Sequence, residues 1–380
     1  MFAVYVSNAE SGDISVLHLD PVQRALVPVQ TVPVGGMVMP LALSPARDRL
    51  YAARRSAPLE ALSFAIDPAS GRLTPLGAAA LPHSMAYIAT DTSGRHLFSA
   101  SYGGHLVAVS PIDANGVVLP ARQVLATGPN AHAIRPDPSN RFVFASSLGG
   151  GVVTQYRFDA ARGELTPNHP ATFQPHQGAS PRHFVFSPDA RFVYLINELD
   201  ATVDVLAFDA GTGTLATQQT LGFLPAGTSG APWAADLHLT PDGRFLYASE
   251  RRSDTLAAFR VDAADGTLAL HAGADLAATT AALKALPGIG DWTAQYVAMR
   301  ALRWPDAFPA GDIALQKALR VSSAAAATQA SESWRPWRSY AVLRAWHAPA
   351  GAAPTPLGDH AEDGGDNDES HHPAKLPEEV

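Results

Sequence analysis

One phrase recurs along the chain: a short apolar strand, a turn built from Pro, Asp, Gly or Ser, an arginine or similar residue, and a second strand that opens on an aromatic. It is clearest as Ser187-Pro188-Asp189-Ala190-Arg191-Phe192-Val193-Tyr194 and as Thr240-Pro241-Asp242-Gly243-Arg244-Phe245-Leu246-Tyr247. Weaker copies lie at 44–51, 91–98 and 138–144, and the N-terminus supplies only the last part, at Tyr5. The aromatics Tyr5, Tyr51, Phe98, Phe144, Tyr194 and Tyr247 stand 46, 47, 46, 50 and 53 residues apart. A period of this size leaves room for about four short alternating strands, which is the signature of a propeller blade. In the fifth repeat the strands are expected at 182–187, 192–197, 202–208 and 217–223, separated by turn residues. Separate beads are the alternative, but a lone four-stranded sheet of this length cannot bury both faces. The period therefore predicts a mainly-β propeller.

Composition changes near residue 275. Residues 1–274 hold 18 basic and 22 acidic side chains, 275–348 hold 8 and 5, and 349–380 hold 1 and 8. Most of the net charge of −8 thus belongs to the tail, while five of the six tryptophans fall in the middle segment. Three regions are expected: a propeller over 1–274, a helical fragment over 275–348, and a disordered acidic tail over 349–380, too poor in apolar residues to order itself. The absence of cysteine excludes disulfides, thiolate nucleophiles and cysteine-ligated metals. The tail histidines His360, His371 and His372 read as solvated coil, so no metal site and no cofactor are expected. No apolar run approaches the roughly 18 residues that span a bilayer. Met1-Phe2-Ala3-Val4-Tyr5-Val6 reads as a strand rather than a signal peptide, so a cytoplasmic protein without a membrane partner is expected.

The repeat also locates a candidate site. Residues at one register occupy equivalent places in successive blades, so unlike polar residues there call for a functional explanation. Four positions after the aromatic stand Ala9, Arg55, Tyr102, Leu148, Glu198 and Arg251; twelve before it stand Met39, Ala86, His132, Arg182 and Ala235. The turn at 188–191 makes Arg182 and Glu198 cross-strand neighbours on the innermost strands. Arg55, Tyr102, His132, Arg182, Glu198 and Arg251 are expected at one mouth of the channel, with His183, Asp236, His238 and Glu250 close by. Rim salt bridges between blades are the other reading of any one of these residues. As a cluster, arginines around one glutamate and one histidine suit an anionic substrate and acid–base chemistry.

At these residues the chain resembles the seven-bladed lactonase family, the propeller-type 6-phosphogluconolactonases, over about residues 2–273. The resemblance rests on Ala131-His132-Ala133-Ile134, on Pro181-Arg182-His183-Phe184-Val185-Phe186, on Tyr194-Leu195-Ile196-Asn197-Glu198-Leu199, and on the run from Trp233-Ala234-Ala235-Asp236-Leu237-His238 to Arg244. It implies hydrolysis of a small anionic sugar lactone, with His132, Arg182, Glu198 and Arg251 as channel residues of the reaction. Arg55, Tyr102, His183, Asp236 and His238 are expected to bind the substrate. The chemistry of the ester then suggests that Arg182 and Arg251 hold the anion and the developing oxyanion, Glu198 accepts a proton from water, and His132 protonates the leaving ring oxygen. A seventh aromatic falls due near 295–300, where the sequence reads as helix. The expected fold is therefore a propeller of this type lacking its last blade, its N-terminal blade without an inner strand, and two sheet edges open.

The helical fragment carries another signature. Residues 279–290 read as a helix ending in Leu286-Pro287-Gly288-Ile289-Gly290, and Asp291–Arg300 as a second. With Trp304-Pro305-Asp306-Ala307-Phe308-Pro309-Ala310-Gly311-Asp312 and Trp334-Arg335-Pro336-Trp337, this resembles the C-terminal part of helix-hairpin-helix 3-methyladenine DNA glycosylases over about 275–347. The resemblance implies a hairpin at Gly288 and Gly290, a base-pocket aromatic at Trp292 and a catalytic aspartate at Asp312, with DNA as partner. Core tryptophans and a helix cap at Asp312 are the plainer reading. Three functions follow: a sugar lactonase, a base-excision enzyme, or a non-catalytic propeller whose channel binds an anion.

Overall fold

The computed structural model describes residues 2–22, 25–224, 228, 230–253, 255–270, 284, 290–300, 306–335 and 338–347. The chain divides into two compact units, Met1–His271 and Ala272–Glu379.

The first unit consists of six antiparallel meanders in chain order. β1 (Phe2–Asn8), β2 (Asp13–Asp20) and β3 (Ala25–Pro33) make a three-stranded first blade. Four-stranded blades follow: the second from β4 (Val38–Leu43) to β7 (Leu73–Ala80), the third from β8 (Tyr87–Thr90) to β11 (Gln123–Ala126). The fourth holds β12 (Ala131–Pro136), β13 (Phe142–Ser147), β14 (Val152–Asp159) and β15 (Glu164–Phe173). The fifth holds β16 (Pro181–Phe186), β17 (Phe192–Asn197), β18 (Thr202–Asp209) and β19 (Thr214–Gly222). The sixth holds β20 (Ala234–Leu239), β21 (Phe245–Glu250), β22 (Thr255–Val261) and β23 (Leu268–Leu270). β19 starts at Thr214 rather than the expected 217, because Thr214 already pairs with Asp209 across a turn whose Gly213 takes φ +71°.

Alternation explains why these strands stack as layers. Along β17, Phe192, Tyr194 and Ile196 face the sixth blade with Leu237, Leu246 and Phe259, while Val193 and Leu195 face the fourth with Phe142 and Phe144. A strand covered on both faces must be apolar at every position, and Phe-Val-Tyr-Leu-Ile is such a run. Polar clasps fix the spacing between blades. Gln30, Gln123 and Gln219 each exchange two hydrogen bonds with a backbone leucine of the next blade, Leu73, Leu165 and Leu268. The arginine of the phrase does the same from the inter-strand turn: Arg191 donates to the Ala263 and Ala264 carbonyls at 2.7 and 2.9 Å.

The first blade shows which strand it lacks. Tyr5 Oη donates to Gly71 O at 2.8 Å, as Tyr194 Oη does to Gly266 O at 3.1 Å in the fifth blade. β1 is therefore a second strand, and its sheet has no innermost strand among the described residues, as the sequence predicts.

In the second unit, α1 (Asp291–Arg300), α2 (Ile313–Ala318), α3 (Ala324–Ala330), a 3₁₀ turn at Glu332–Trp334 and α4 (Arg338–His347) enclose Met299, Phe308, Leu315, Ala327 and Val342. Buried Arg338 donates to both carboxylate oxygens of Asp306, at 2.7 and 2.9 Å. Of the expected first helix only Lys284 and Gly290 are described; Gly288 and the tail 349–380 lie outside the described residues. Among the described residues no helix is long and apolar enough to cross a membrane.

Candidate active site at the channel mouth

The first strands of blades two to six, with β1, line a cavity of about 1020 Å³ mostly through their last residues and the turns that follow, away from the expected site residues, of which only His238 lines it. The expected site residues stand at the beginnings of these strands, or just after the antiparallel second strands that end beside them. Each first strand of blades two, four, five and six begins with a register break: between Val38 and Leu41, Ala131 and Ala133, Pro181 and Phe184, and Ala234 and Leu237. A bulge leaves residues unpaired and turns their side chains out of the ladder. His132, Arg182, His183 and Asp236 all sit in these breaks. This corrects the expected simple hairpin pairing of Arg182 with Glu198: Pro181 opposes Asn197, and Arg182 reaches Glu198 only because the bulge re-aims it. Serines seal the bulges: Ser146 Oγ accepts from Ala133 N and donates to Arg182 O, and Ser249 Oγ accepts from Asp236 N.

Glu198 is buried, and its Oε2 lies 2.9 Å from Arg251 Nη2 and 2.7 Å from Arg182 Nε, although the Arg182 N–H is not aimed at it. Arg182 also donates through Nη1 to Ala235 O at 2.6 Å. Burial, then the neighbouring Arg251 charge, lowers the Arg182 pKa, and Glu198 works against both. The Arg251 guanidinium carbon lies 3.7 Å from the centre of the Trp233 ring, a cation–π stack that holds it over the mouth.

Beside this cluster runs a chain of rings. Tyr102 meets His132 edge-on at 5.9 Å, His132 meets His183 at 4.8 Å, and His183 meets Tyr87 at 5.3 Å. His183 Nδ1 lies 2.7 Å from Asp236 Oδ1, and His238 Nε2 lies 3.2 Å from Asp236 Oδ2. Burial pushes His132 down to about 2, with the Arg182 and His183 charges adding to it. Burial and the two facing arginines thus disfavour the imidazolium form that an acid at His132 would need. Burial also lowers His183, against its hydrogen bond to Asp236. Burial pushes Asp236 up, but the hydrogen bonds from His183 and His238 outweigh it and hold the carboxyl well below the usual range. The hydrogen bond to Asp236 raises exposed His238.

The structure thus gathers Arg182, Glu198 and Arg251 into one ionic cluster and Tyr102, His132, His183, Asp236 and His238 into one polar chain. Arg55 stands on the second blade, its Nε 3.3 Å from Ser84 Oγ. His238 is mostly exposed and also lines the cavity. Arg182–Ala235, His183–Asp236 and Glu198–Arg251 are each separated by 53 residues, the spacing of the last two aromatics. Trp233 escaped the sequence argument, yet the same test finds it: fourteen positions before the aromatic the blades carry Met37, Ser84, Asn130, Ser180 and Trp233.

In the second unit, Asp312 caps α2 by accepting from Leu315 N at 2.7 Å through Oδ1, while Oδ2 accepts from Trp292 Nε1 at 2.8 Å. Gly290 leads into α1, its carbonyl accepting from Ala294 N. Among the described residues no group of three His, Asp or Glu side chains could hold a metal ion.

Six stacked antiparallel blades around an arginine-lined channel mouth define a β-propeller equipped to hold an anion and move a proton. The family described as lactonase, 7-bladed beta-propeller, matches residues 2–279. A 6-phosphogluconolactonase from Pectobacterium atrosepticum is 42% identical over 267 residues, covering 70% of this chain and 79% of the relative. One from Serratia proteamaculans is 40% identical, covering 70% and 80%. A solved structure, the periplasmic gluconolactonase of Pseudomonas aeruginosa, superposes with a TM-score of 0.65 at 31% identity, covering 70% of this chain and 80% of that one. The chain belongs to the seven-bladed β-propeller lactonase family.

Proposed function

We propose that the propeller hydrolyses the lactone ring of a sugar acid, as a 6-phosphogluconolactonase does. The observation that carries this reading is the Arg182–Glu198–Arg251 cluster beside neutral His132, in a chain 42% identical to a 6-phosphogluconolactonase. Arg182 and Arg251 hold the phosphate or carboxylate and stabilise the oxyanion as it forms. Glu198 takes a proton from water as its oxygen attacks the carbonyl carbon, and returns it to the ring oxygen as that bond breaks. His132 contributes as a neutral hydrogen-bonding partner of the bound water. Arg55, Tyr102, His183, Asp236 and His238 belong to the walls of the substrate site. We place the enzyme in the cytoplasm, where phosphorylated sugar lactones arise.

Base excision by the second unit draws on its resemblance alone. The family match ends at residue 279, and both carboxylate oxygens of Asp312 are occupied by the cap and by Trp292. The lactone reading is therefore preferred, with a small anionic lactone rather than DNA as partner.

The test is proton release from 6-phosphogluconolactone by the full chain, corrected for spontaneous opening. Wild-type protein is expected to exceed the spontaneous rate, and Glu198→Gln to lower kcat by about tenfold or more. An unchanged rate in the variant removes Glu198 from the chemistry. A wild-type rate equal to buffer leaves an anion-binding propeller.

A further inference from the structure

Glu250 ends β21 next to Arg251, is buried, and takes no part in the lactone chemistry, yet four donors converge on it. Its Oε1 accepts from Trp233 N at 2.6 Å and from Arg252 N at 3.1 Å. Its Oε2 accepts from Ser253 N at 2.6 Å and from the Ser253 hydroxyl at 2.5 Å. All four donors are uncharged. Together they outweigh the burial that pushes the carboxyl up, and hold it below the ordinary glutamate value.

The two ends of this clamp lie on either side of Arg251. Trp233 leads into β20, while Arg252 and Ser253 follow Arg251 in the turn after β21. Between them, Trp233 O accepts from Arg251 N at 3.0 Å and from Arg251 Nε at 3.3 Å, and the Trp233 ring lies under the guanidinium carbon at 3.7 Å. Backbone, guanidinium and ring are thus fastened at one residue, with Nη2 directed at Glu198 Oε2, 2.9 Å away. A long side chain ordered in advance loses fewer rotamers when a ligand arrives.

Closing the turn does not by itself explain a carboxylate there. Three positions after the aromatic the blades carry Asn8, Arg54, Ser101, Ser147, Asn197 and Glu250. In the third blade Ser101 Oγ accepts from Gly104 N and donates to Ser84 O, at the register positions that Ser253 and Trp233 occupy in the sixth. A neutral hydroxyl therefore bridges the same two segments, and in the fourth blade Ser147 Oγ is buried without a partner among the described residues. The sixth blade, which presents Arg251 to Glu198, has a carboxylate in that place instead.

We propose that Glu250 is a positioning residue: its carboxylate fastens Trp233 to the turn after Arg251 and so delivers the Arg251 guanidinium, stacked and oriented, to the anionic group of the lactone. The role in turnover rests on the lactone reading; the orientation of Arg251 does not. Without the clamp, each incoming substrate has to order Arg251 itself, which weakens binding more than it slows bond breaking.

The experiment compares the full-length wild type with Glu250→Gln, Arg251→Lys and the double variant. Gln keeps the size of the side chain but turns one acceptor oxygen into an amide nitrogen that faces donors. One readout is steady-state opening of 6-phosphogluconolactone. The other is the indole N–H resonance of Trp233 in ¹⁵N-tryptophan-labelled protein, assigned with Trp233→Phe. Glu250→Gln is expected to raise KM about tenfold, to lower kcat by about threefold or less, and to move the Trp233 resonance in the same direction as Arg251→Lys does. In the Arg251→Lys background it is expected to change kcat/KM by less than about twofold, because both changes act through one guanidinium. A KM within about twofold of wild type, an unmoved Trp233 resonance, or an undiminished effect on top of Arg251→Lys overturns the proposal. Should Glu250→Gln lose its folded spectrum, Ser253→Ala, which removes one donor from the same carboxylate, carries the same cycle with an expected rise in KM of about threefold, and no rise overturns it. If the wild-type chain opens no lactone, the functional reading falls while the Trp233 resonance still judges the clamp.

Discussion

The fifth and sixth blades are written in the same phrase and fold into the same four strands, yet their outer surfaces differ. Tyr194 in the fifth is wholly buried; Tyr247, its counterpart in the sixth, is 38% exposed. Val203 is wholly buried, while its counterpart Leu256 is 65% exposed. Arg191 clasps two carbonyls of the sixth blade, whereas the hydrogen bond of Arg244 among the described residues goes to Asp242 in its own turn, at 2.6 Å. The phrase is therefore half of an interface. Its aromatic and its arginine do their stabilising through the blade that follows, and a blade with no described successor carries the same residues with less return.

The sharpest way to break this comparison is to remove the aromatic from each blade. Tyr194→Ala should destabilise the propeller by about 3–5 kcal/mol, since a large side chain leaves a sealed interior. Tyr247→Ala should cost about 1 kcal/mol or less. Urea unfolding of the full chain would read both, and equal losses would show that the sixth blade is covered as well as the fifth.

Acid separates an interior ring from one on the sixth blade. The unfolded chain protonates His132 near 6.5, whereas the folded protein withholds that proton down to about 2. Throughout that window the unfolded state holds more protons, so stability falls with pH, by about 2 kcal/mol at pH 5. His238 behaves oppositely: its pKa is raised, so its small stabilisation is complete below its ordinary value and lost as pH rises through the folded one. Unfolding midpoints between pH 5 and 8 check this, and His132→Gln should flatten the slope below pH 6.5. A variant as acid-sensitive as the wild type would remove burial of His132 as the cause.

The smallest effect tests the clasp. Arg191→Ala should cost about 1 kcal/mol, by loss of hydrogen bonds from a charged donor, and Arg244→Ala less than about 0.5 kcal/mol. Thermal melts of the two variants side by side would show the ranking, and a reversed order would contradict the half-interface account.

Much of the fold was legible because its determinants are local. The turn residues at 188–191 and the apolar run at 192–196 specify a hairpin wherever they occur, and the aromatic spacing counts the blades. Candidate residues were legible where unlike side chains broke a register, as Arg182, Glu198 and Arg251 do. The bulges were not, since a register break depends on where Ser146 and Ser249 stand against the neighbouring strand. The neutral state of His132 was not legible either: one histidine in a sequence says nothing about which rings and arginines will surround it.

By itself, then, the sequence determined the number of blades, the order of their strands, and which residues one period apart occupy matching places. The tertiary structure decided what those matches do. Glu198 with Arg251, His183 with Asp236 and Arg182 with Ala235 are pairs 53 residues apart that meet only when two blades stack. Burial, proton position and the aim of a guanidinium are properties of that joint. They arise from desolvation and from charges brought within a few ångströms, which no stretch of the chain contains alone.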